Sequence, residues 1–201
     1  YNDRAIQRAF AHNCAPTYEF LVANGVKFRD TPPDVAGGHA IGLSAPREMH
    51  TIPSPGQGIE SPMGKDGATL MRPLEASARS KGVQFLLNYH MDSIVRETPT
   101  AGRVLGIKAR YTPTILPGTG TPLKSFASQG NIDTTSTNVN IKATKAVIIA
   151  TGGSSSNVNF RRIFDPRLTE EFQVAGEPYS YQDASGEIAA MAIGASLWGT
   201  A

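Results

Sequence analysis

Cysteine is almost missing from this chain of 201 residues, where Cys14 stands alone. A single thiol excludes an internal disulfide and any zinc site built on several cysteines, and it favours a reducing compartment, so a cytoplasmic location is expected. Long apolar runs are missing too. The longest, AVIIA at residues 146–150, falls far short of the roughly 20 residues of a membrane-spanning helix, and no secretory core segment is present. No membrane segment is therefore expected. Charge of one sign is equally scarce: 19 basic and 17 acidic side chains leave a net +2, with the signs interspersed. Nucleic acid, which demands clustered phosphate contacts, is excluded as a partner.

Several motifs are absent as well. His12, His39, His50 and His90 have no spacing that sets two of them on one helical turn, so no metal site is expected. His12 is expected exposed on a helix, and Arg47 and His50 in a solvated loop. There is no G-x-S-x-G elbow, and Gly64-Lys65 is followed by Asp66 rather than Ser or Thr, which removes the nucleotide-binding glycine loop. Hydrolase and kinase chemistry are set aside.

What is present suits a globular domain with long loops: 40% hydrophobic residues, 20 glycines and 14 prolines without repetition. Ile6, Phe10, Cys14, Tyr18 and Leu21 recur at three- and four-residue steps and predict a helix that ends at Asn24-Gly25, with Pro16 kinking or dividing it. Residues 29–66 carry no sustained period and read as a long, site-lining loop. Residues 69–81 predict a second helix closed by Gly82, with Pro73 disturbing its first turn.

The period then changes. Residues 83–88, 93–97, 103–111 and 143–150 predict strands, and the Thr-, Pro-, Gly- and Ser-rich stretch 112–138 predicts a long hairpin excursion with a flexible tip. Residues 83–88 follow a helix and 146–150 lack polar alternation, so these two are expected parallel in one sheet with the rest as an antiparallel outgrowth. The expected fold class is α/β with α+β character. Ligands of such sheets bind beyond the carboxyl ends of the strands, where Thr151-Gly152-Gly153 lies, followed by Ser154, Ser155 and Ser156 as donors. The plainer reading of the same glycines is a strand end turning into a loop.

AVIIATGG, followed shortly by Asn157, resembles the A-V-I-L-A-T-G-G strand end of the FAD-dependent oxidoreductases grouped with the fumarate reductase and succinate dehydrogenase flavoproteins, 3-ketosteroid dehydrogenases included. FLVANGVKF is similar to that family's L-x-x-x-G-V-x-F. LEASARSKGVQFLLNYHMDSIV is similar to its L-x-x-x-A-x-x-x-G-V helix and strand, and DASGEIAAMAIGASL to its T-G-D-G-x-x-M-A-x-x-x-G-A-x-L helix. The motifs stand in the family's order across nearly the whole chain. The opening strand and G-x-G-x-x-G are not there, since Gly56-Gln57-Gly58-Ile59-Glu60-Ser61 lacks the third glycine and follows prolines. The resemblance thus implies an internal fragment: residues 1–157 as the middle of an FAD-binding domain and 158–201 as the truncated start of a substrate-capping domain.

It also implies roles. Ala150, Thr151, Gly152, Gly153 and Asn157 become candidates for flavin contact, and Met91 with Asp92 for the adenine end, Met91 being otherwise a core methionine. Fumarate-reducing relatives carry His-Pro and Thr-Glu where this chain has Glu177-Pro178 and Ala190-Met191, so fumarate is not the expected substrate. The substrate edge is expected at Glu177, Tyr179, Tyr181, Ser185 and Gly186. It suits a less charged, cyclic or steroid-like small molecule, with Tyr179 or Tyr181 passing a proton and Glu177 holding or accepting one. The bland alternatives are packing tyrosines and a surface glutamate. A reading of a different class is a folded, non-catalytic module that binds no cofactor and self-associates through exposed sheet edges.

Overall fold

The computed structural model describes residues 3–33, 49–53, 67–116, 118–121, 131–132, 137–171 and 182–197. They belong to two compact units, Tyr1–Phe85 and Leu86–Ala201.

The first unit opens with α1 (Arg4–Ala23), whose N-cap Asp3 accepts the main-chain N–H groups of Ala5 at 2.7 Å and Ile6 at 3.4 Å. Pro16 does not divide it. The proline removes only the donor for the His12 carbonyl, and the turns on either side keep the helix continuous. No α1 residue is buried: Ile6 and Phe10 are about two-thirds exposed, and His12 is exposed as expected. With no burial to support it, α1 depends on its ends. Asp3→Ala is expected to cost about 1 kcal/mol of helix stability and to speed amide exchange at Ala5 and Ile6; unchanged exchange there would count against the cap.

At its other end Asn24 accepts from Ser77 Oγ and Lys81 Nζ, both at 2.6 Å, which ties the α1 terminus to α2 (Ala68–Ser80). Pro73 lies buried within α2 without ending it. Between the helices, β1 (Lys27–Phe28) and β2 (Thr51–Ile52) pair antiparallel, with Val26 nearly fully buried beside them and the Thr51 hydroxyl bonded to that of buried Thr69. His50 extends this ladder through its carbonyl to the Arg29 N–H, at 2.9 Å. His39, Arg47 and the Gly56 to Ser61 stretch lie outside the described residues.

The second unit is built on a three-stranded antiparallel meander in the order β3-β4-β7: β3 (Tyr89–Arg96), β4 (Val104–Tyr111) and β7 (Asn138–Lys142). β5 (Thr114–Ile115) and β6 (Asn131–Ile132) pair as the base of the expected excursion. Two short helices follow, α3 (Val158–Phe164) and α4 (Ser185–Ala192), and α4 packs on β3. Ile94 and Ala109 from the meander, Phe160 from α3 and Ala189 from α4 are buried, with Ala184 just ahead of α4.

The mixed class of helices and sheets is as expected, but the two anticipated parallel strands are not. Every ladder among the described residues is antiparallel, and residues 83–88 and 143–150 run on without a ladder partner. A strand is completed by a run of bonds to a neighbour's main chain, and here such bonds stop at the segment ends, from the Thr112 N–H to the Asn88 carbonyl at 2.7 Å and from the Ala143 N–H to the Leu105 carbonyl at 2.8 Å. Their side chains show it: Val83, Leu86 and Leu87 are about half exposed and Ile148 is 88% exposed. The 93–97 strand begins four residues earlier, at Tyr89, because β4 supplies partners that far. β7 was not anticipated; its NVNIK sequence is polar, and pairing with β4 rather than propensity makes it a strand.

Candidate functional site

The segment that ends at Thr151-Gly152-Gly153 is held from several sides within the second unit. The Ala143 N–H donates to the Leu105 carbonyl at 2.8 Å, and Arg103 donates to the Thr144 carbonyl, which leads the chain off β7. At the far end the turn 153–157 is stitched to the bend 182–184. Ala184 N donates to Gly153 O at 3.3 Å, Ser156 N and Oγ both donate to Gln182 O at 3.0 and 2.8 Å, and Asn157 Nδ2 donates to Asp183 O at 2.8 Å. Asn157 Oδ1 also accepts from Phe160 N at 2.9 Å, as the N-cap of α3. The three-serine sequence is explained in part by this stitching: Ser155 Oγ donates to Gln182 Oε1 at 3.0 Å, so two of the hydroxyls are committed to the bend.

The floor of this arrangement is a close contact. A Cβ on Gly186 would stand 2.1 Å from Thr151 Oγ1 and 2.7 Å from Ile149 Cγ2, so only glycine lets the first turn of α4 lie against the strand end. Gly152 has φ +85°, a conformation strained for any side chain. Above them opens a cleft of about 280 Å³ lined by Ile149, Ala150, Thr151, Gly152, Gly186, Glu187, Ala190 and Leu197. That is near the lower end for a small-molecule pocket, sized for one ring system rather than a dinucleotide. Its mouth presents bare main chain and one acid. Glu187 Oε2 is buried with no hydrogen-bond partner among the described residues, so a donor from a ligand would complete it. A larger hollow, about 480 Å³, is lined by Arg4, Ala5, Arg8, Ala9 and His12, all on α1, and brings no second element to a ligand.

The expected site residues separate into groups. Ala150, Thr151, Gly152 and Gly186 line the cleft; Gly153, Asn157 and Ser185 hold the turn and the helix start beside it. Met91 and Asp92 lie on β3 itself, not after a strand. Met91 pairs with Ala109, and the ladder skips Asp92 as a bulge. Asp92 is engaged: Arg110 Nε and Nη2 both donate to its carboxylate at 2.8 to 2.9 Å, and His90 Nδ1 lies 3.0 Å from Oδ1. The Arg110 hydrogen bond, foremost, holds the Asp92 carboxyl below its usual value, helped by His90. Glu177, Tyr179 and Tyr181 lie outside the described residues. Glu187, Gln182 and Asp183 were missed by sequence reasoning, because each acts through partners remote in the chain; only the family-like helix in which Glu187 sits pointed nearby. Among the described residues no group of His, Cys, Asp or Glu is arranged to hold a metal ion, and no helix is long and apolar enough to cross a membrane.

Bare main chain at Thr151-Gly152-Gly153 beside the start of α4, over a small apolar cleft, is an arrangement that admits the flat face of a small ligand. The family is shown by comparison: a model described as FAD binding domain matches residues 1–197, and the chain belongs to that family, which includes the fumarate reductase and succinate dehydrogenase flavoproteins and related oxidoreductases. A search of curated proteins finds no match. FAD is thus the cofactor and a flavin-dependent oxidoreductase the class, acting on a small molecule. The residues present fit part of FAD: Gly152 leaves the main chain open to a flat ring, and Glu187 has an oxygen that no described residue occupies.

Proposed function

We propose that this chain forms the flavin-side portion of an oxidoreductase acting on a carbon–carbon bond, with residues 1–157 in the FAD-binding domain and 158–201 entering the substrate-capping domain. The observation that carries this is the contact of Gly186 with Thr151 beneath the cleft, which sets bare main chain and a carboxylate oxygen without a partner among the described residues around one ring-sized space. Bound there, flavin supplies the hydride acceptor or donor. Ala150, Thr151, Gly152 and Gly153 place it, and Glu187 Oε2 accepts a hydrogen bond from it. Gly153, Asn157 and Ser185 keep the strand end in place, while Met91 and Asp92 address the adenine end from β3.

Fumarate is not the substrate in this reading. The Ala190 side of the cleft has no hydrogen bond to give a dicarboxylate, and Glu187 and Glu177 repel one. A neutral, cyclic or steroid-like molecule suits Tyr179 and Tyr181 as proton carriers, Glu177 as acceptor and Ser185 and Gly186 as the edge. The 201 residues hold no G-x-G-x-x-G, so the pyrophosphate is bound by another part of the enzyme, and the isolated chain turns over no substrate.

The test is a visible absorption and flavin-fluorescence titration of the chain and of the full polypeptide from its native reading frame. The full polypeptide is expected to retain FAD through gel filtration and to leave fumarate unreduced. A colourless full polypeptide overturns the flavin assignment at this cleft; fumarate turnover overturns the substrate reading alone.

A further inference from the structure

His90 is placed with carboxylates on both sides. Its Nε2 lies 2.8 Å from Asp183 Oδ2 and its Nδ1 lies 3.0 Å from Asp92 Oδ1. An ionised carboxylate only accepts, so both ring nitrogens must donate, and a neutral imidazole carries a single N–H. The geometry therefore calls for the doubly protonated ring.

Each carboxylate is fixed in turn. Asp92 is gripped by Arg110 on β4, directly across the ladder from His90. Asp183 Oδ1 accepts the Ser185 N–H at 2.9 Å, which aligns the start of α4. The main chain of the same bend holds the turn beneath the cleft, through Asp183 O to Asn157 and the Ala184 N–H to Gly153 O. Asp183 is thus the joint where the sheet meets the cofactor cleft, and His90 is the contact that closes it.

We propose that His90 is a positioning residue for the cleft, a proton-operated latch that in its charged form holds the bend 182–185 and the turn 153–157 to β3 and releases them when it loses its proton. The coupling to FAD affinity rests on the function proposed above; the latch does not.

The titrating surroundings agree in sign. Partial burial pulls His90 down, but the hydrogen bonds to Asp183 and Asp92, with their charges, outweigh it and hold His90 above its ordinary 6.5. Burial likewise pushes Asp183 up, and the hydrogen bonds to His90 and Ser185 bring it below its ordinary 3.8. Among other charged groups facing the ring, Arg110 is spent on Asp92, and the α4 carboxylate, Glu187, lines the cleft instead. Since His90 is raised in the folded state, its contribution is complete below 6.5 and is lost as pH rises through its own raised value. The carboxylates contribute above 3.8 and fail as pH falls through their lowered values. The latch is shut between those limits.

Amide hydrogen exchange of the chain across this range, corrected for the intrinsic rate, reads the latch directly. Protection of Ala184, Ser185 and Ser156 is expected to fall several-fold as pH rises through the His90 titration, followed on the same sample from its ring-proton shifts. In His90→Gln the step is expected to vanish, leaving low protection at every pH. Asp183→Asn is expected to lower the His90 titration and remove the step, which keeps the test open if the first variant folds poorly. Wild-type protection that ignores the titration, or a step that survives in His90→Gln, overturns the latch. In the FAD-loaded full polypeptide, flavin affinity is expected to weaken over the same pH interval in wild type alone. Affinity flat in pH overturns the coupling while the flavin site stands, whereas absence of bound FAD with the exchange step intact removes the flavin reading and leaves the latch.

Discussion

Gly186→Val is expected to destabilise the second unit by about 3 kcal/mol and to remove flavin from the full polypeptide. The added Cβ falls 2.1 Å from Thr151 Oγ1, 2.7 Å from Ile149 Cγ2 and 3.3 Å from Thr151 Cβ. The Thr151 hydroxyl and the Ile149 methyl can turn away about χ1, at a rotamer cost, but Thr151 Cβ moves only if the main chain at 151 moves. Gly186→Ala is the informative companion. It meets the same clash, worth about 1 to 3 kcal/mol, and gains about 1 kcal/mol of helix propensity within α4, so its net cost is up to about 2 kcal/mol. Valine adds two more carbons and no such gain. Thr151→Ala combined with Gly186→Ala is expected to recover most of the loss, because the nearest clashing atom is gone. Denaturant unfolding with FAD titration checks all three, and a Gly186→Val protein that keeps wild-type stability and flavin would show that α4 does not press on the strand end.

Arg161→Met is expected to cost about 3 kcal/mol and to lower the thermal midpoint by roughly 10 °C. Arg161 is 5% exposed, and among the described residues its guanidinium donates to three main-chain carbonyls: Ser155 and Thr169 at 2.6 Å and Leu168 at 2.9 Å. It joins α3 to the serine turn at one side and to the 168–169 bend at the other. Methionine keeps the apolar stem but leaves these carbonyls short of a charged donor. Arg161→Lys is expected to recover only part, since one ammonium cannot span a fork set for three acceptors. Arg162→Met, one residue along and exposed, is expected to stay within about 0.5 kcal/mol of wild type and serves as the control. Equal losses at the two positions would mean that charge, not the carbonyl fork, is what matters there.

The ionic contacts of the second unit differ in what pH does to them. Asp165 is held down to about 2 by the hydrogen bonds from Arg167, yet the arginine is 85% exposed and the pair is screened from that side. In the proposed latch the titrating group is His90, held above its ordinary 6.5 by Asp183 and Asp92, rather than either arginine pair.

Much was legible in the sequence because it is written locally. Three- and four-residue spacing and the Asn24-Gly25 terminus gave α1, Gly82 closed α2, and alternating β-formers gave the second half of β3 and all of β4. The glycines after AVIIA pointed to the candidate cleft, which Gly152 lines beside the close contact of Gly186 with Thr151. Residues 83–88 and 143–150 were misjudged as paired strands for the opposite reason: their composition states a preference, while pairing depends on a neighbour that composition does not contain. NVNIK shows the converse, a polar segment made a strand by β4.

The sequence by itself determined the family, the cofactor class and the position of the bare strand end, because these rest on residue types at fixed short spacings. Only the tertiary structure decided that Asp92 is occupied by Arg110 and His90, that Glu187 Oε2 is buried without a hydrogen-bond partner among the described residues, and that His90 and Asp183 close on one another across 93 positions. Hydrogen bonds and charges act over a few ångströms of space, and the distance along the chain does not reveal which groups come that near.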